Sequence, residues 1–101
     1  MFAAKANTLP KDKRIIRIVE HPGVLEVLDD VFDIEPGYYT FVVRNESNKN
    51  SGFVLSRENE IPVVLTVKKG DAGEIMVYLK NGTYNFYCPL IPTPVYSIKV
   101  K

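Results

Sequence analysis

Leu79-Lys80-Asn81-Gly82-Thr83-Tyr84-Asn85-Phe86-Tyr87-Cys88 decides the architecture of this chain. Tyr84, Phe86 and Cys88 alternate with Asn85 and Tyr87, the two-residue period of a strand that buries one face. Leu79, Gly82 and Tyr84 have the Leu-x-x-Gly-x-Tyr spacing of a tyrosine corner, in which the ring packs inside and the hydroxyl bonds back to the backbone of a crossing connection. Gly82 and Tyr84 are therefore read as structural residues. Asn-Gly readily takes positive φ, so Lys80 to Thr83 is expected to make a tight turn between two strands.

The same alternation extends in both directions. Ile16 and Ile18 share a face in Arg14 to Val19. Tyr39, Phe41 and Val43 oppose Thr40, Val42 and Arg44, and Val63, Leu65 and Val67 line one side of Val63 to Lys68. Further strands are expected at Gly52 to Arg57, at Gly73 to Leu79 and at Val95 to Val100, the last with Tyr96, Ile98 and Val100 inward. Turn residues separate the runs at Pro36-Gly37, Asn48 to Gly52, Lys69-Gly70-Asp71 and Asn81-Gly82. Val24 to Ile34 has apolar residues at helical spacing. It is nonetheless β-branched and bounded by Pro22-Gly23 and Pro36-Gly37, so it reads as extended with a bend at Asp29-Asp30. Seven to nine short strands in about 100 residues predict an all-β, antiparallel Greek-key sandwich.

The length of 101 residues suits one domain, expected over 14–101 with a polar, mobile arm at 1–13. A hydrophobic share of 46% with 25% charged residues is that of a globular protein, which argues against a disordered tail or a fibre. No apolar run has the length of a membrane span. Thirteen Lys and Arg against twelve Asp and Glu leave a charge of +1, too balanced for nucleic-acid binding. A single Cys precludes an intrachain disulfide and any Cys-rich zinc site. Ala4-Lys5-Ala6 fits the small-x-small pattern of a signal-peptide cleavage site, which motivates a periplasmic or extracellular location.

Three blocks carry a family resemblance: Gly37-Tyr38-Tyr39-Thr40-Phe41-Val42-Val43-Arg44-Asn45, Val64-Leu65-Thr66-Val67-Lys68-Lys69-Gly70, and Gly82-Thr83-Tyr84-Asn85-Phe86-Tyr87-Cys88-Pro89. In order and spacing the chain resembles the cupredoxins, the blue-copper β-sandwich proteins, over residues 14–101. It also resembles cupredoxin-like domains of bacterial periplasmic iron and copper uptake proteins. The resemblance implies a centre of two His and one Cys with an axial Met, because soft sulfur stabilises Cu(I) while imidazole suits both oxidation states. This chain has one His. Ser51-Gly52 stands where the family's first His is expected, and Pro89-Leu90-Ile91-Pro92-Thr93-Pro94-Val95 has neither the second His nor the Met. Cys88 alone carries over. His21 lies far upstream in His21-Pro22-Gly23, Met76 is mid-strand, and Met1 is the first residue.

Cys88 and His21 are the candidate metal ligands, with a small buried hydrophobe and a solvated turn residue as their plain structural roles. Pro89, Leu90, Ile91, Pro92, Thr93 and Pro94 form the candidate partner-binding loop: three prolines stiffen it, and Leu90 and Ile91 add apolar area beside the cysteine. The alternative is that Leu90 and Ile91 fold inward. Asp29, Asp30, Asp33 and Glu35 lack the spacing of a calcium loop and read as a solvated turn. Asn45-Glu46-Ser47 and Asn81-Gly82-Thr83 match the glycosylation sequon, a triplet common by chance. No nucleophile elbow, phosphate loop or catalytic carboxylate pair is present, so the chain is expected not to be an enzyme.

The expected function is that of an exported cupredoxin-like binding or interaction domain without a complete blue-copper site, engaging a protein partner, with no cofactor expected. The alternative is a copper-binding or electron-transfer protein using Cys88 in a non-standard site, or in one shared across a homodimer.

Overall fold

Every strand buries one face and shows the other to solvent, apart from one central strand. In the computed structural model, which describes residues 14–90 and 93–101, eight strands follow from that pattern. They are β1 Ile15–His21, β2 Val24–Val27, β3 Gly37–Asn45, β4 Ser51–Ser56, β5 Val63–Val67, β6 Ala72–Leu79, β7 Gly82–Tyr87 and β8 Tyr96–Val100. One sheet has the order β2-β1-β3-β6 and the other β5-β4-β7-β8. The expected all-β sandwich is present. The arm at 1–13 and the loop residues Ile91 and Pro92 lie outside the described residues.

The sheets are not purely antiparallel. β1 and β3 run parallel, with Ile16 beside Phe41 and Ile18 beside Val43, whereas all other strand pairs are antiparallel. A parallel pair needs a long crossover, and residues 22–36 supply it. β2 first folds back on β1 through Pro22-Gly23, where Gly23 takes a φ of 80°. The chain then bends at Asp29-Asp30, and Val31 and Ile34 run beside β8, where Lys99 N–H donates to the Val31 carbonyl and Ile34 N–H to the Lys99 carbonyl. The β-branched stretch is thus extended on both sides of its bend, and the segment covers the β8 edge, which would otherwise present unpaired backbone groups.

The Asn81-Gly82 turn lies between two strands, as the sequence indicated. It does not join two paired strands: β6 belongs to one sheet and β7 to the other. Lys80-Asn81 is a corner between sheets, and Tyr84 secures it by accepting the Lys80 backbone N–H at 3.0 Å on its hydroxyl. Gly82 has a φ of 129°, a backbone state in which a side chain is strained, and Arg57 packs directly over it.

The core lies between the sheets. Phe41 of β3, Phe53 of β4, Phe86 of β7 and Tyr96 of β8 form a chain of rings at centroid spacings of 5.4, 5.7 and 5.4 Å. β4 is the exception to the alternation, with Ser51 to Leu55 all buried. Its outward residues are covered as well as its inward ones, so its sequence is a continuous apolar run after Ser51-Gly52.

Candidate functional site

Three strand ends meet at one end of the sandwich. The end of β1 supplies Glu20, the start of β4 supplies Ser51, and the residue after β7 is Cys88. Strand alternation turns Glu20 inward and its neighbours Val19 and His21 outward. Ser51 and Glu20 have no exposed surface, and Cys88 is 5% exposed.

These side chains touch in sequence. Ser51 Oγ donates to Glu20 Oε2 at 2.5 Å and lies 2.7 Å from Cys88 Sγ. A hydroxyl has one proton to donate. With that proton directed at Glu20, the Cys88 S–H is the donor in the second contact. The hydrogen bonds therefore run thiol to hydroxyl to carboxylate. Among the described residues, the other carboxylate oxygen, Glu20 Oε1, is buried without a hydrogen-bond partner.

Polar groups around this row fix the loops that supply it. Asn45, also fully buried, donates through Nδ2 to the Lys49 and Val67 carbonyls and accepts the Ser47 N–H and hydroxyl on Oδ1. All its side-chain hydrogen-bonding capacity goes into the loop that delivers Ser51 and the end of β5 beside it, so this sequon is structural. The Glu46 N–H donates to the Glu20 carbonyl at 2.8 Å, tying that loop to the end of β1. Beyond the cysteine, the Thr93 hydroxyl accepts the Cys88 N–H at 3.3 Å. Leu90 and Val95 are each 64% exposed on this loop. Leu90 thus points outward.

His21 is not part of this row. It closes β1 with its Nε2 at 2.9 Å from Glu26 Oε1 on β2, a cross-strand pair on the outer surface. No group of three or more His, Cys, Asp or Glu side chains converges among the described residues. The acidic residues Asp29, Asp30, Asp33 and Glu35 line one open cleft beside Arg14 and Tyr39 but form no such group. Asp29 chelates Arg17, with its oxygens 2.7 Å from the Arg17 backbone nitrogen and 2.8 Å from Nη2, and Asp30 accepts the Phe32 N–H. Hydrogen bonding to Arg17 holds the Asp29 carboxyl below the usual aspartate range.

The donors do not fit a blue-copper ion. Two imidazoles are needed and the chain has one, which is paired with Glu26 on the outer face. Spacing opposes the ion too. Two ligands bound to one tetrahedral metal through oxygen and sulfur lie roughly 3.5 Å apart, given bonds of about 2.0 to 2.3 Å. Ser51 and Cys88 are in direct contact at 2.7 Å. Ser51, which stands where the resemblance implies a first His, places a hydroxyl in contact with the thiol instead.

In the sequence Cys88 stood out as a candidate ligand and Ser51 only as the residue in place of an expected His, while Glu20 did not stand out at all. A charged residue in Arg17-Ile18-Val19-Glu20 on the same face as the apolar Ile16 and Ile18 was the available signal. Sequence reasoning also missed Tyr39, whose hydroxyl donates to the Glu35 carbonyl at 2.6 Å while Arg14 stacks over its ring at 5.4 Å. Tyr84 has the same arrangement with Arg57, also at 5.4 Å. Gly37-Tyr38-Tyr39 and Gly82-Thr83-Tyr84 are the shared signature.

No family model matches the sequence, and no curated protein matches it. Solved structures do match in shape. A reduced Cu(I) form of an amicyanin variant at pH 4 superposes with a TM-score of 0.62 at 16% identity, covering 86% of this chain and 82% of that one. An oxidised amicyanin variant gives 0.55 at 16% identity over 88% and 84%. A third variant in its Cu(I) form gives 0.54 at 16% identity over 86% and 82%. With the two four-stranded sheets and the cysteine at the end of β7, these likenesses establish a cupredoxin-like fold for the chain.

Proposed function

We propose that this chain is a non-catalytic, exported cupredoxin-like domain that binds a protein partner through the end of the sandwich carrying Cys88 and the 89–95 loop. The observation that supports this most directly is the contrast at that end. The interior, where the resemblance implies copper, is occupied by the chain's own Glu20–Ser51–Cys88 hydrogen bonds. The surface beside it presents Leu90 and Val95 to solvent on a loop stiffened by Pro89 and Pro94. Exposed apolar groups on a stiff loop lose little entropy on docking and remove apolar area from water.

The test is site-specific. A photo-crosslinker at position 90, expressed in the native host, should give one discrete adduct, and Leu90→Asp in the same cells should compete for it poorly while melting at the wild-type temperature. Absence of any adduct, or unfolding caused by Leu90→Asp, defeats the docking reading.

A second reading is favoured by the shape likeness to copper-loaded amicyanin variants: copper held in a non-standard or intermolecular site that uses Cys88. Titration with Cu(II) separates the two. An intense blue, one-to-one species that disappears in Cys88→Ser supports copper handling and defeats the first reading. A colourless titration with unchanged stability supports the first.

A further inference from the structure

We propose that Glu20, Ser51 and Cys88 form a buried proton relay that makes Cys88 a peroxide-reactive thiol, the acceptor being Glu20 and the co-reactant a small uncharged peroxide. The row of contacts has a single direction. Cys88 S–H donates to Ser51 Oγ across 2.7 Å, and Ser51 O–H donates to Glu20 Oε2 across 2.5 Å. If both protons shift one place along the row, the carboxyl becomes neutral and the sulfur becomes a thiolate that accepts from Ser51. The buried cluster carries one negative charge before and after. No ion has to cross from water into the interior, the step that makes buried charge separation expensive.

The second observation pointing to this role is Glu20 itself. It has no exposed surface, and Oε1 has no hydrogen-bond partner among the described residues. A buried carboxylate using only one of its oxygens is poorly compensated. Transfer moves the charge from that oxygen pair to sulfur, which is larger and more polarisable and needs less solvation. A residue whose only task was to stabilise the strand end would be better served by an apolar side chain or by a fully bonded amide, as Asn45 is next to it.

The thiolate sulfur attacks one peroxide oxygen, the O–O bond breaks, and sulfur is oxidised by two electrons to the sulfenic acid. The departing hydroxide takes the proton held on Glu20 and leaves as water, and Glu20 returns to a carboxylate. A small neutral reagent suits the site, because a cysteine only 5% exposed admits hydrogen peroxide more readily than a bulky or charged oxidant. This goes beyond the docking role, which does not require the thiol.

The experiment measures the rate of Cys88 oxidation by hydrogen peroxide in the full chain, trapped as its dimedone adduct and read by mass spectrometry. Because the proton stays inside the cluster, the wild-type rate should be nearly flat from about pH 6 to 8. Glu20→Gln removes the acceptor but keeps its shape. Its rate at pH 7 should be at least tenfold lower and should rise about tenfold per pH unit, as for an ordinary thiol with a value near 8.5. Ser51→Ala should behave the same way and is the second variant if Glu20→Gln fails to fold. The proposal is overturned if both variants that fold react at the wild-type rate, if the wild-type rate climbs with pH like that of an unstructured cysteine peptide, or if the adduct forms only at the rate of global unfolding. Partner crosslinking at position 90 is read separately, so either idea can fail alone.

Discussion

Tyr84 shows how much one hydroxyl decides. Its ring packs in the core and its oxygen accepts the Lys80 N–H, with Arg57 Nη1 donating at 3.3 Å from the other side. Tyr84→Phe keeps the ring and orphans a backbone donor at a corner between sheets. It should destabilise the domain by about 0.5 to 1.5 kcal/mol in urea melts, the net worth of a part-buried hydrogen bond. Tyr39→Phe removes a hydroxyl that donates to the Glu35 carbonyl and should cost about 1 kcal/mol. Asp29 gives a pH signature. Hydrogen bonding to Arg17 is the main reason its carboxyl lies below the usual 3.8, followed by the opposing effect of burial and then further favourable contacts with Arg17. A depressed carboxyl stabilises the fold above its unfolded value and loses that contribution as pH falls through the folded one. The stability gap between wild type and Asp29→Asn should therefore be full at neutral pH and close below about pH 4. A gap that persists undiminished at pH 2 would remove the ion pair as its cause. The tyrosine of Leu-x-x-Gly-x-Tyr was legible because the motif has fixed spacing. Tyr39 was not, because its partner Glu35 carbonyl belongs to a loop whose path depends on the sheets around it.

At the scale of strands and loops, the period-two pattern placed the ends of most elements to within a residue or two. β3 and β5 follow the alternation read from Tyr38 to Arg44 and from Val63 to Lys68. The helical spacing in Val24 to Ile34 gave way to extended structure because a single turn of helix there could neither pair with β1 nor cover β8. The 89–95 loop and β4 are predicted to respond in opposite ways to substitution. Leu90→Asp acts on an exposed side chain and should change stability by less than about 0.5 kcal/mol. Phe53→Ala empties a site between the rings of Phe41 and Phe86 and should cost about 3 to 5 kcal/mol, measured in the same denaturant titration. A large loss in Leu90→Asp would mean that the loop belongs to the core.

For the molecule as a whole, the two sheets are built from strands distant in sequence: β3 pairs with β1 and β6, and β4 pairs with β7. Such non-local pairing must close long loops before it gains contacts, so refolding should take on the order of milliseconds to seconds. Stopped-flow tyrosine fluorescence can follow it, because the chain has six Tyr and no Trp. Microsecond refolding would contradict the topology. The cupredoxin-like shape also accounts for where the polar row sits. Strand ends from both sheets converge at one end of such a sandwich, and here they bring residues 20, 51 and 88 into contact.

The linear order of residues was enough to establish a β-sandwich, its tyrosine corner and the shortage of imidazoles, because alternation, turn chemistry and ligand counts are local or additive properties. It was not enough to reveal the parallel pairing of β1 with β3, the pairing of residues 31–34 with β8, or the row from Cys88 through Ser51 to Glu20. Those depend on which distant strand ends become neighbours. That choice is made by the packing of two sheets around Phe41, Phe53 and Phe86, so the meaning of a buried glutamate at position 20 appears only once the sandwich has closed.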